Sequence, residues 1–334
     1  MRNYFSVIIP FYGNIETLDK VLHSLKMTKY SNKEVILVND GVDRDFTMIN
    51  NKYNLKLINL PSRRGPSFAR NFGAKMAHFE YLAFLDYDIE IPNDCFEKIN
   101  EFLINNDSIS VINCLVSSYC PYNDLFSQFT NMVFRYSIFK NGGKTAYTHF
   151  CIVKKKSFWE VGGFDENVPL QYSDDLVLGW RFSQKGYRMK FMDEVEVIHH
   201  KRMSLLKSIL WNFRHGYFYG KFYCIYKHRL KYFKYSINKT GFIFLFVTLL
   251  VVAFLFYLDI INIVFGLLIF WGAFLAINYD LLSFLSREKG IIFGFKSIWV
   301  VIFRYITYAP AAVFGMIYES LKNNFQNIYF MKDE

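Results

Sequence analysis

The residue types best suited to chemistry are two carboxylates, Asp86 and Asp88, which close the segment Tyr81-Leu-Ala-Phe-Leu-Asp-Tyr-Asp-Ile-Glu90. Tyr81 to Leu85 run apolar without polar alternation, which predicts a strand buried on both faces whose end carries acids into a crevice. Two carboxylates at i and i+2 on an extended segment point to the same side. They can share one hard cation through oxygen ligands, directly or through water. Such a seat suits Mg²⁺ or Mn²⁺, and a cation held this way ordinarily grips phosphate oxygens. Taken alone, Asp-x-Asp also fits a strand that ends in a solvated acidic turn, so the elements around it decide.

Those elements alternate. Ser6 to Pro10 reads as a strand; Ile15, Leu18, Val21, Leu22 and Leu25 fall at helical spacing; Glu34 to Val38 is a second strand, ending Asn39-Asp40-Gly41. Leu55 to Leu60 is a third strand, Ser67 to His78 a helix and Tyr81 to Leu85 a fourth strand. This alternation predicts an α/β fold with a mostly parallel sheet, whose ligands bind beyond the carboxyl ends of the strands. Pro10, Asp40 and Asp86 all sit at such ends. No Gly-x-Gly-x-x-Gly follows the first strand and no Gly-x-x-x-x-Gly-Lys-Ser/Thr occurs, so dinucleotide redox chemistry and P-loop hydrolysis lose their main support. Asn93 to Asn105 reads as a helix and Ile109 to Val116 as a fifth strand. Tyr119 to Lys144 reads as less regular, and Ala146 to Val153 and Lys190 to Ile198 as further strands.

Composition adds a membrane. The 334 residues are 52% hydrophobic and 20% aromatic, rich for a purely soluble chain. The first apolar run follows one Arg without a small-residue cleavage site and reads as a strand, not a signal peptide. The five cysteines, Cys95, Cys114, Cys120, Cys151 and Cys224, show no CxxC spacing and imply neither a zinc cluster nor a disulfide framework. The net charge of +10 is concentrated: ten Lys or Arg and no Asp or Glu lie between Lys201 and Thr240. Basic residues interleaved with Trp211, Phe213, Tyr217 and Phe218 could stack on nucleic-acid bases. The sequence beyond Thr240 argues instead for a membrane interface and no nucleic acid. Gly241–Leu258 and Ile260–Ile277 are two apolar runs of about 18 residues each, near bilayer-spanning length. Lys and Arg flank both outer ends, which places the hairpin termini in the cytosol. Ile298 to Tyr318 is apolar but carries Arg304 and Pro310, so it lies in the interface or crosses as a third helix.

Four segments in order carry a resemblance: Val7-Ile-Ile-Pro-Phe-Tyr12, Val38-Asn-Asp-Gly41, Arg64-Gly-Pro-Ser-Phe-Ala-Arg-Asn71 and Leu85-Asp-Tyr-Asp88. Together they resemble the nucleotide-sugar half of family 2 glycosyltransferases with the GT-A fold, over roughly the first 230 residues. The resemblance implies that Pro10 and Asp40 line the base pocket, Asp40 being suited to accept from an imide N–H such as that of uracil. It places Arg64 and Arg70 near the base or diphosphate, and Asp86 and Asp88 on the metal and donor. Trp159-Glu-Val-Gly-Gly-Phe-Asp-Glu166, followed by Ser173-Asp-Asp-Leu176, matches the turn and acidic pair that supply the family's catalytic base. Asp174 stands where that pair usually has Glu, and Val177 replaces a later Asp, which leaves Asp175 as the base and Asp174 as its helper. Without the turn motif both would read as helix-capping residues. Gly163, Phe164, Asp165 and Arg214 fall on the acceptor side. A metal-binding His is expected near His199 or His200. Trp211-Asn-Phe-Arg-His-Gly216 resembles the Gln-x-x-Arg-Trp segment of processive synthases but lacks its Gln and Trp, which points to transfer of one or few sugars.

The expectation is therefore an inverting, Mn²⁺- or Mg²⁺-dependent transferase at the cytoplasmic membrane face. Its partners would be a nucleotide sugar, a UDP-sugar in the first instance, and a lipid-linked or saccharide acceptor among membrane lipids. The expected division is 1–200 for the catalytic domain, with a nucleotide-sugar half at 1–92 and an acceptor half at 93–200. Residues 201–240 would form the interface segment, 241–278 a transmembrane hairpin, and 279–334 an interfacial or third spanning helix and tail. Transfer straight to polyprenyl phosphate is a near alternative. A sugar nucleotidyltransferase would need a Gly-rich triphosphate loop, for which Phe11-Tyr-Gly-Asn14 is a poor candidate. A non-catalytic membrane scaffold fits poorly with intact Asp86, Asp88 and Asp175.

Overall fold

The computed structural model describes residues 2–141, 143–166, 174–226, 251–257 and 263–330. Two compact units emerge, one of residues Met1–Asn123 with Ile138–Arg202 and one of Asp124–Ser137 with Met203–Glu334.

The first unit is built on β1 (Phe5–Phe11), a fully buried strand, with α1 (Ile15–Met27) returning over it. Asn14 starts α1 by accepting the amides of Glu16 and Thr17 at 2.7 and 3.2 Å, two donors the helix itself cannot satisfy. The apolar stripe Leu18, Val21, Leu22 and Leu25 is buried, as its spacing requires. Then come β2 (Lys33–Asn39), α2 (Thr47–Tyr53), β3 (Lys56–Asn59), α3 (Pro66–Met76), β4 (Tyr81–Leu85) and the short β5 (Ile89–Glu90). α4 (Cys95–Asn105) and β6 (Ile109–Val116) are next, then α5 (Leu125–Asn141), which passes from the second unit into the first. β7 (Phe150–Lys154), α6 (Lys155–Glu160), α7 (Asp174–Gln184) and β8 (Arg188–His199) complete this unit.

The eight strands form one sheet in the order β3-β2-β1-β4-β7-β6-β8-β5. β3, β2, β1 and β4 run parallel; β7 is antiparallel between β4 and β6; β8 returns parallel to β6. Because the chain leaves β1 towards β3 and comes back to β4 on its other side, a crevice opens beyond the carboxyl ends of β2, β1 and β4. That is where Asp40, Pro10 and Asp86 stand. Helix α3 lies hard on this part of the sheet: a Cβ at Gly73 would sit 2.5 Å from Ile8 Cγ2.

Two segments depart from the sequence reading. α5 is a 17-residue helix where irregular structure was expected; its apolar residues are interrupted by Ser127, Thr130 and Asn131, which are buried, so polarity hid the period. The strand expected from Ala146 begins only at Phe150, where pairing with Leu85 starts.

In the second unit, α8 (Leu205–Tyr226), α9 (Ile263–Lys289) and α10 (Ile291–Phe330) dominate. α8 carries Gly216 and Gly220 against the backbone carbonyls of Tyr308 and Ala312, and Gly315 of α10 meets the backbone of Tyr217. Small residues thus let the two helices touch backbone to backbone. Phe129 and Met132 of α5 pack with Phe274, Leu285, Val300 and Val301 in an apolar core. Among the described residues, Ile263–Lys289 and Ile291–Lys322 are long and apolar enough to cross a membrane. The described part of the expected second span, from Ile263, is helical, and Ile298 to Tyr318 is one stretch of continuous helix including Pro310. Of the expected first span, only 251–257 is described, and it is helical; residues 227–240 of the basic segment also lie outside the described residues.

Candidate active site

A cleft of about 260 Å³ lies at the crevice, lined by Pro10, Asp40, Asp86 and Asp88, with His199 closing one side. Local structure explains each placement. Asp40 follows β2 and is 3% exposed. Its carboxylate accepts the amides of Arg64 at 2.7 Å and Gly65 at 2.9 Å. Gly41 (φ +78°) leaves no room for a Cβ against the backbone of Ser62 and Arg63, so this approach requires glycine.

Asp86 and Asp88 do not lie on an extended segment. The Ile89 amide donates to Asp86 O at 3.1 Å, closing a turn around Tyr87 and Asp88. Both carboxylates still line the cleft, now with Tyr87 between them. β5 then pairs with the end of β8, Ile89 opposite His199, and this ladder delivers the imidazole. His199 Nε2 lies 3.3 Å from Asp88 Oδ2. The neighbouring His200 takes the other side and meets Glu90 at 2.7 Å, and it is not among the cleft residues.

Arg70 of α3 is the hub. Its guanidinium donates to Asp86 Oδ1 at 2.7 Å and to Asp174 Oδ2 at 2.8 Å, and it is 5% exposed. The hydroxyl of Ser67 also donates to Asp174, at 3.2 Å. The sequence placed Arg70 beside the base or diphosphate; it lines the cleft while tying two carboxylates together. Arg64 instead stacks over Phe68 at 4.2 Å and is absent from the cleft lining.

The electrostatics separate the acids. Burial pushes the Asp86 carboxyl up, Arg70 opposes this, and Asp88 adds to it. Burial also acts on Asp88, but His199 and Lys201 outweigh it and hold that carboxyl well below the usual range. Burial and the adjacent Asp174 raise Asp175 to about 7. Asp175 opens α7 and is not among the cleft-lining residues. Burial, then His199, takes His149 down to about 3, which leaves it neutral.

The turn before the acidic pair is a rigid clip. Asn71 Nδ2 donates to Phe164 O at 2.8 Å and to Glu166 Oε1 at 2.7 Å, and Asn71 Oδ1 accepts the Phe164 amide at 2.9 Å. Asp165 pairs with Arg181 at 2.7 Å. Phe164 is 2% exposed and packs against Phe84 and Phe158, so it serves the core and not an acceptor. Gly163 and Asp165 build the same turn. Arg214 lies exposed on α8 in the second unit.

The sequence did not single out Tyr12, Arg63, Tyr87, His149 or Lys201, all in the cleft lining. Arg63 stacks on Tyr12 at 4.0 Å. Tyr12 ends one of the four matched segments and Arg63 directly precedes another, so position in those segments was the available signal. His149 had no sequence signal; its carbonyl accepts the Asp86 amide at 3.1 Å, a contact made by the β4–β7 pairing.

Comparison with known proteins bears on the family and the fold. Residues 6–162 match the family described as glycosyl transferase family 2. This stretch, a little under half of the chain, is similar to a family 2 glycosyltransferase domain. An uncharacterized glycosyltransferase of Haemophilus influenzae is 37% identical over 106 residues, covering 30% of this chain and 42% of that protein. The poly-beta-1,6-N-acetyl-D-glucosamine synthase of Staphylococcus epidermidis is 24% identical over 199 residues, covering 56% of this chain and 47% of the synthase. The chain thus spans about half the length of the curated relatives it matches. A mannosyltransferase from Pyrobaculum calidifontis, solved with GDP-Man and Mn²⁺, shares the GT-A fold with a TM-score of 0.56. That similarity covers 98% of this chain and 88% of the mannosyltransferase at 16% identity.

Proposed function

We propose that the chain is an inverting, metal-dependent glycosyltransferase. It moves a sugar from a nucleotide sugar, a UDP-sugar in the first instance, to a lipid-linked saccharide or polysaccharide precursor at the cytoplasmic face of a membrane. The observation that carries this reading is the convergence of Pro10, Asp40, Asp86, Asp88 and His199 on one cleft at the ends of parallel strands.

Two carboxylates and an imidazole are a donor set that Mn²⁺ accepts, and the mutual repulsion of Asp86 and Asp88 is of the kind a cation relieves. Among the described residues, no group of three or more His, Cys, Asp or Glu side chains already stands in metal-holding geometry. Asp86, Asp88 and His199 are the residues that would hold the ion, which when bound supplies positive charge to a departing diphosphate. His200, paired with Glu90, is left out of the set.

The chain's own groups account for the rest. Asp40, oriented by two backbone amides, offers an acceptor to a base imide N–H. The Arg63–Tyr12 stack gives a flat face beside it. Asp174 is tied to Arg70 and Ser67, so it positions, and Asp175, raised to about 7, takes the proton of the attacking acceptor hydroxyl. Attack by that hydroxyl on the sugar carbon opposite the diphosphate inverts the anomeric centre. The two helices of spanning length support membrane attachment, and the Staphylococcus epidermidis relative supports polysaccharide assembly.

The test is nucleoside diphosphate release by detergent-purified protein given Mn²⁺, a membrane lipid extract and a panel of UDP- and GDP-sugars. Metal-dependent release from one donor, lost in an Asp86→Ala/Asp88→Ala variant, is expected. Release that persists in the variant would sink the assignment.

A further inference from the structure

Arg304 lies inside α10, within the apolar stretch Ile291–Lys322. Its Nε is buried and has no hydrogen-bond partner, and none of the ion pairs among the described residues includes this side chain. Two carboxylates of the same unit are engaged elsewhere, Glu288 with Arg135 at 3.0 Å and Glu319 with Lys221 at 3.5 Å. A guanidinium placed in an apolar helix without a counter-charge marks a site that an anion completes.

The surroundings specify the anion. Arg304 lines a small crevice with Thr130, Ser208 and Asn212, which bring hydroxyl and amide donors. No Asp or Glu is among its described lining residues; the remainder are apolar, Trp211 and Phe303 among them. Asn212 is held in place by donating to Thr307 Oγ1 at 3.2 Å. The free space is about 20 Å³, above the roughly 10–15 Å³ that one water-sized group needs. A phosphate oxygen enters such a space; a sugar ring does not. Arg is the side chain whose planar donor fork matches phosphate.

We propose that Arg304, with Thr130, Ser208 and Asn212, forms a binding site for the phosphate of a membrane lipid, the head group of a lipid-linked acceptor. This assignment rests on the membrane-bound transferase reading and names its acceptor class.

The experiment titrates polyprenyl monophosphate in neutral detergent micelles into full-length protein and follows binding by native mass spectrometry and tryptophan fluorescence. Wild type binds saturably, and Arg304→Gln weakens binding about ten-fold or more, the loss of a charge-assisted contact. Arg304→Lys, which keeps the charge but not the fork, loses less. Polyprenol without phosphate and inorganic phosphate alone each bind at least about ten-fold more weakly than the lipid phosphate. The site is overturned if Arg304→Gln binds as wild type does, or if either half-ligand binds as tightly as the whole. Should Arg304→Gln fail to fold, Ser208→Ala/Asn212→Leu makes the same comparison. Nucleotide-sugar binding is measured on the same wild-type preparation. If it is present without lipid-phosphate binding, the site falls and the transferase reading stands; lipid-phosphate binding without it supports the site and removes the transferase reading.

Discussion

Replacing Gly163 by Ala combines two costs that replacement of its neighbour Gly162 does not. Both glycines have positive φ, +64° at Gly163 and +86° at Gly162, where an L side chain is strained by about 1–2 kcal/mol. At Gly162 an added Cβ meets only Arg181 Nη1 at 3.7 Å, an ordinary contact, so Gly162→Ala loses that amount and little else. At Gly163 the Cβ would stand 2.8 Å from Asn71 Oδ1. That oxygen cannot move freely, because Asn71 is 4% exposed and makes three hydrogen bonds to the turn. Displacing it leaves buried polar groups unmet, a further penalty of about 1–3 kcal/mol. Gly163→Ala is therefore expected to lose about 2–5 kcal/mol, and its melting temperature to fall further than that of Gly162→Ala by several degrees, at about 2–4 °C per kcal/mol. Thermal unfolding of the two variants side by side, monitored by intrinsic fluorescence, gives the difference directly. Because the turn leads towards the acidic pair that opens α7, turnover falls with it. Equal melting temperatures for the two variants would refute the clip, since of the two only Gly163 carries the steric conflict.

Arg70→Met leaves the buried Asp174 and the half-buried Asp86 without their counter-charge, a destabilisation of about 3–5 kcal/mol; chemical denaturation checks it, and Arg70→Met/Asp174→Asn should recover part of the loss. With Asp175 at about 7, transferase activity should fall about ten-fold per unit below that pH and level off above it, and a pH–rate profile without this limb would exclude Asp175 as the base. The same raised value means that the folded state holds a proton the unfolded state has released, so Asp175 lowers stability as pH climbs from about 4 to 7; Asp175→Asn should flatten that decline in melting curves. Chelation of divalent metal should abolish turnover, and Mn²⁺ should restore it to wild type but not to Asp86→Ala/Asp88→Ala; restoration of the variant would remove these residues from the metal seat.

How far an element can be read from the chain depends on the range of the interactions that shape it. Local patterns announced β1, α1, β2, α3, β4 and β6, because burial on one face or both imposes a period that short windows carry. The same windows placed Asp40, Asp86 and Asp88 at strand ends, and the cleft contains all three. They could not announce α5, whose buried Ser127, Thr130 and Asn131 break the apolar period. Nor could they announce the turn that carries Asp86 and Asp88, since its shape is set by the return of β8 beside β5.

Which histidine faces the cleft was likewise beyond the sequence. His199 and His200 are adjacent and chemically identical, and only the pairing of Ile89 with His199 decides which ring meets Asp88 and which meets Glu90. Arg70 illustrates the same limit. Its type and its place in a matched segment suggested a contact with the base or the diphosphate, but its partners lie 16 and 104 positions away, and their distance in space is fixed by how α3 and α7 pack on the sheet. Residue order was enough to specify a parallel α/β core with acids at its strand ends and apolar helices of spanning length towards its C-terminal part. Folding in three dimensions was needed to settle which acids Arg70 neutralises, which one is held near 7 and which imidazole joins them, because each of those outcomes depends on charges brought together from distant parts of the chain.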